Sequence, residues 1–78
     1  MSDWMEAAAL AEATADRKQA AEDAAEQRFY AVKAKAEAQG DAAAALRSDE
    51  FRQWMDARAE TDVAWGAWSM AMDARPVH

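Results

Sequence analysis

Catalysis needs a nucleophile beside a base, a positioned acid, or a ligand set for a metal. This chain of 78 residues carries few side chains that qualify. Its one histidine, His78, is the last residue and follows Pro76 and Val77, so it reads as part of a frayed tail spanning 75–78, beyond any packed element. Ser2, Ser48 and Ser69 have no histidine or lysine at a telling spacing, and Ser2 and Ser48 stand where helices should begin, which makes them caps. Cysteine is absent, which removes thiolate zinc sites and disulfide frameworks. Two glycines, Gly40 and Gly66, cannot build a phosphate-cradling loop. The expectation is a non-enzymatic protein with no catalytic residue, no metal site and no cofactor.

Binding chemistry is what remains. Glu12, Asp16, Asp23, Glu26 and Glu37 recur at spacings that put them on one flank of a helix, whereas Arg17, Arg28 and Lys35 fall on the other. Such a row is read in two ways: as a solvated helix face, or as spaced negative charge that seats against a basic groove on a partner. Four tryptophans and Phe51 in so short a chain supply aromatic surface. Trp54, Trp65 and Trp68 read as core, and Trp4, beside the amino terminus, as the indole left exposed for a partner.

The elements that must carry these groups are helical. Alanine runs such as Ala7 to Ala9 and Ala42 to Ala45 favour helix while contributing little burial. Ser2 or Asp3 can cap a first helix, Asp3 and Glu6 have capping-box spacing, and nothing stops the helix before Gly40. Gly40-Asp41 reads as a C-terminal glycine followed at once by the N-cap of a return helix. Ser48-Asp49-Glu50 offers a second cap that can divide a short piece, Ala42 to Arg47, from a longer one, Asp49 to Ala74, ahead of Pro76. The prediction is an all-α, single-domain antiparallel hairpin, with helices over roughly Asp3 to Gln39 and Asp41 to Ala74.

On a wheel of 3.6 residues per turn the first helix has one apolar stripe: Trp4, Ala7, Leu10, Ala11, Thr14, Ala21, Ala25, Phe29, Val32 and Ala36, interrupted by Lys18. The second helix presents two arcs. Phe51, Trp54, Trp65, Trp68 and Met72 lie on one side, and Met55, Ala59, Val63 and Met70 lie a quarter-turn or more away. The first arc is expected to cover the first helix. The second is either the margin of one wide core or an intermolecular surface, on which Met55, Val63 and Met70 would form a homodimer, packing two hairpins as a helical bundle. Gly66, mid-helix at a cost of about 1 kcal/mol relative to alanine, is read equally as close approach of another backbone or room for a neighbouring indole, or as a glycine with no structural role.

A net charge of -6 disfavours direct contact with nucleic acid or an anionic membrane and points to a protein partner with a basic surface. The acidic amino terminus is unlike a secretory or mitochondrial leader, and no apolar run is long enough to span a bilayer, so the expected location is cytoplasmic. Small size, acidity, absent catalytic groups, the acidic face from Glu12 to Glu37 and the Trp54, Trp65 and Trp68 cluster resemble, in general character, the small phage-encoded anti-CRISPR proteins. The resemblance implies an inhibitor that occupies a basic nucleic-acid-binding surface of its target. The alternative is a helical-hairpin assembly or adaptor protein with a structural role.

Overall fold

The computed structural model describes residues 3–76. Gly40 has a φ of +78°, the left-handed conformation that closes a helix cheaply only in a residue without a Cβ. The Asp41 amide donates to the Ala36 carbonyl at 2.9 Å, and the Gly40 amide to the Glu37 carbonyl at 3.0 Å. This pair of bonds is a Schellman motif, which satisfies carbonyls that the helix end would otherwise leave orphaned. The helix it closes, α1, spans Asp3–Ala38.

The return begins with a 3-10 helix, Ala42–Arg47, and continues as α2, Asp49–Asp73. Asp41 does not cap the return helix with its side chain. Its backbone carbonyl accepts from the Ala44 amide at 3.0 Å, while its carboxylate lies 3.5 Å from the Arg47 guanidinium. Ser48 makes the break. Its extended backbone, ψ 157°, stops one helix, and its hydroxyl oxygen accepts the Phe51 amide at 3.1 Å to start the next. The same hydroxyl donates back to the Ala45 carbonyl at 2.6 Å. At the other end, Asp3 is already the first helical residue, not a cap, and the alternative cap Ser2 lies outside the described residues. So do Val77 and His78, half of the expected tail.

Along α1, Trp4, Ala8, Ala11, Ala15, Lys18, Glu22, Ala25, Phe29, Val32 and Ala36 form a row of buried and half-buried positions alternating by four and three, with half-buried Thr14, Gln19 and Glu26 at its margins. In α2 the matching series is Glu50, Trp54, Ala57, Thr61, Ala64, Trp68 and Ala71. A strict seven-residue repeat is a coiled-coil seam, in which two helices wind around each other with a left-handed twist. This corrects the 3.6-residue stripe. Ala7, Leu10 and Ala21 are exposed, and Ala8, Ala15 and Glu22 take their places. A period of 3.6 drifts about 20° per heptad from one of 3.5, so a stripe chosen on a straight wheel slides off a seam five heptads long.

The result is a rod of 61 × 15 × 15 Å with a radius of gyration of 17.5 Å, where a compact chain of this length would have about 11–12 Å. Bulk is concentrated near the turn, where Phe29, Ala36 and Ala45 are buried beneath Val32, Phe51 and Trp54. Trp54 stacks on Phe29 with centroids 5.0 Å apart, and Phe51 meets Phe29 at 5.3 Å. Toward the open end the seam narrows to Ala8, Ala15, Thr61 and Ala64. There the Thr61 hydroxyl lies 3.0 Å from the Lys18 carbonyl across the seam and 2.9 Å from Ala57 in its own helix.

Candidate functional site

Two rods in contact leave two long flanks, and contacts between the helices show which residues share each. On one flank the Trp65 indole N–H reaches Gln19 Oε1 at 3.4 Å, and Tyr30 lies against Trp54 with centroids 5.9 Å apart. Trp4, Met5, Glu12, Trp68 and Met72 line a shallow depression near the open end of this flank. Helical spacing extends it: from Glu12, steps of four and three lead through Asp16, Gln19, Asp23 and Glu26 to Tyr30, and Glu37 follows one heptad after Tyr30. All five expected carboxylates therefore lie along the flank over which Phe51, Met55, Trp65 and Met72 spread their half-buried side chains.

The carboxylates are solvent-facing. Glu26 is half-buried and the other four are exposed. Asp23 accepts from Gln19 Nε2 at 3.1 Å, so Gln19 ties the acidic row to the Trp65 indole. Glu37 sits 3.5 Å from Lys33, one turn back. Cations punctuate the flank: Lys33 follows Glu26 by a heptad, and Arg58, a heptad before Trp65, lies 5.8 Å from the centre of the Trp54 ring. Tyr30 is 46% exposed and stands directly after Glu26 on this row. Gln19 and Tyr30 belong to the surface although neither was expected there. Their i+4 relation to Asp23 and Glu26 is the signal that places them.

Trp4 is corrected. Its ring is half-buried in the seam and its indole N–H donates to the Ala71 carbonyl, sixty-seven residues away. It clamps the open end of the hairpin and is no exposed anchor, because the heptad register carries it inward. The three residues expected to share the second apolar arc also divide. Val63 and Met70 are each 74% exposed, one heptad apart. Met55 is half-buried, because it turns toward the aromatic side.

The opposite flank is open. A groove there is lined by Thr14 and Lys18 from α1 and Ala59, Glu60, Val63, Ala64 and Ala67 from α2. Lys18 crosses its mouth to pair with Glu60 at 2.9 Å. Among the described residues no group of three or more His, Asp or Glu side chains is placed to hold a metal ion, and no helix is long and apolar enough to cross a membrane. No protein-family model matches the chain, and neither a curated protein nor a solved structure matches it.

Proposed function

We propose that the chain is a non-enzymatic binding protein that lays its acidic, aromatic-edged flank on a basic surface of a protein partner, and that it acts as an inhibitor by occupying a groove otherwise used for nucleic acid. The observation that supports this reading is the placement of Glu12, Asp16, Asp23 and Glu26 on the flank that carries Tyr30 and the edges of Trp65 and Trp68. Charge governs how fast such a complex forms and which way round, while desolvated aromatic rings govern how long it lasts. A rod some 61 Å long with carboxylates on successive turns has the dimensions of a groove-filling element. On this reading the chain acts in the cytoplasm, away from membranes, as its resemblance in general character to the anti-CRISPR proteins implies.

The test separates the two contributions. Capture from the native host with the wild-type chain, with mass spectrometry, identifies the partner. Reversal of Glu12, Asp16, Asp23 and Glu26 to lysine should then slow association and flatten its salt dependence while leaving dissociation nearly unchanged. Tyr30→Ala should instead speed dissociation about tenfold, equivalent to about 1.4 kcal/mol. Equal association rates for wild type and the charge-reversed chain at low salt would reduce the acidic row to a solvated face.

The assembly or adaptor reading has its own support in the open flank, where Val63 and Met70 face solvent.

A further inference from the structure

We infer that the open flank is a self-association surface, on which a second copy of this chain packs about a two-fold axis parallel to the rod to form a four-helix bundle. This goes beyond the partner reading and does not depend on it, since it uses the other side of the hairpin.

The apolar part of the surface is contiguous. Val63 and Ala67 line the groove, Met70 follows Val63 by one heptad, and Leu10 precedes the groove residue Thr14 by one turn. Leu10 is 70% exposed and Val63 and Met70 are 74% exposed, in a chain that has few large apolar side chains to leave in water. Gly66, between them on α2, has nothing within 4 Å of where a Cβ would stand, so its missing side chain serves no contact within the hairpin. A neighbouring helix on this flank would find an unobstructed backbone there.

Charge identifies the occupant. Arg17 donates to Thr14 Oγ1 at 3.2 Å, which places it on this flank, and Arg28 lies two heptads beyond Thr14, so the α1 edge is basic. Asp56 and Asp49 lie one and two heptads before Val63, and Glu60 lines the groove, so the α2 edge is mainly acidic, with Arg52, a heptad before the groove residue Ala59, as its one cation, paired with Asp49. Eleven residues separate Arg17 from Arg28, and eleven separate Asp49 from Glu60. Because Lys18 is level with Glu60 in the hairpin, Arg17 is level with Glu60 and Arg28 with Asp49. The flank therefore carries its own complement.

The choice of symmetry follows. A face-to-face isologous dimer has its axis either along the rod or across it. An axis across the rod sets α1 on α1 and α2 on α2, basic edge on basic and acidic on acidic. An axis along the rod sets each α1 beside the other copy's α2 at unchanged height, so that arginines meet carboxylates and every neighbouring pair of helices is antiparallel. Volumes match in the same register. Leu10 comes level with Ala67 and Met70 of the other copy, and Thr14 with its Val63, so that the larger side chains meet small or flexible ones. The acidic, aromatic-edged flanks then face outward on opposite sides, making the dimer bivalent.

Sedimentation equilibrium on the full chain should show a dimer at micromolar concentration. Val63→Glu and Leu10→Glu, each at an exposed position, should weaken it at least a hundredfold while circular dichroism keeps its helical signal. Symmetry is read by a nitroxide on Gln39→Cys, a unique cysteine beside the turn. Pulsed electron resonance should give a label separation of two or three helix diameters, about 20–30 Å. A distance near or above the 61 Å rod length overturns the parallel axis. A chain that stays monomeric through the micromolar range, or a dimer indifferent to both glutamates, overturns the surface itself.

Discussion

The two ends of the hairpin are held by different means. Near the turn, α1 and α2 meet through rings: Phe29 is 5% exposed and contacts Tyr30, Phe51 and Trp54 at centroid distances between 5.0 and 6.0 Å. Toward the termini the same seam is built of alanine and one threonine, with Ala15 fully buried, and is held at its margins by Trp4, Trp65 and the Lys18–Glu60 pair. Aromatic burial supplies far more transfer energy per residue than alanine does, but alanine lets the helix axes approach closely. The turn end also spends some of its gain, since the Trp54 indole N–H is buried with no hydrogen-bond partner, at a cost of about 1–3 kcal/mol. One lesson is that stability is graded along the rod. Another is that the lightly packed end is the one that exposes Leu10, Val63 and Met70, where further burial would stabilise it most.

Removing the ring at the centre of the stronger end should produce the largest effect. Phe29→Ala is expected to cost about 3–5 kcal/mol, against a total stability of about 4–12 kcal/mol for a domain of this length. Urea titration followed by circular dichroism would read it. A loss below about 1 kcal/mol would erase the distinction between the ends.

The alanine end should fail by overfilling. Ala15→Leu should destabilise by about 1–3 kcal/mol because the helices cannot part without releasing Thr61 and Trp4, whereas Ala9→Leu, on the exposed face, should change the urea midpoint little. If both leucines are tolerated equally, the seam is not close-packed there.

A finer probe is the hydroxyl that crosses the seam. Thr61→Val keeps the shape and removes the bond to the Lys18 carbonyl, for an expected loss of about 0.5–1.5 kcal/mol by the same titration. Hydrogen exchange on this variant should quicken at the amides flanking Ala64 before those flanking Trp54.

The smallest effect belongs to the ion pair. Lys18 and Glu60 are 42% and 60% exposed at the side chain, so a double-mutant cycle with Lys18→Met and Glu60→Gln should return a coupling of only about 0–1 kcal/mol, falling with added salt. A larger, salt-insensitive coupling would mean that the pair, and not the small residues, sets the helix spacing at the open end.

Much of the architecture was readable from local chemistry. Gly40 stops α1 because only glycine takes its left-handed φ cheaply, and Ser48 divides the return because its hydroxyl reaches the Phe51 amide three residues on. The acidic row was readable too, since Glu12, Asp16, Asp23, Glu26 and Glu37 share a flank in any regular helix. Asp41 was misjudged because a carboxylate that can cap can equally pair with a nearby cation, and Arg47 is within reach.

What the residues along one helix cannot contain is the second helix, and three features depended on it. The winding of α2 around α1 changed the effective period from 3.6 to 3.5, moving Leu10 and Ala7 into solvent and Ala8 and Ala15 into the seam. The Trp4 indole turned inward because the Ala71 carbonyl lies opposite it, a neighbour sixty-seven residues away that no local pattern reveals. The pairing of flanks was decided in the same way. Side-chain periodicity says which residues of a helix share a face, but only the level at which two helices meet, set by Lys18 opposite Glu60 and Gln19 opposite Trp65, places the acidic row beside the aromatic edges and the arginines beside the open groove.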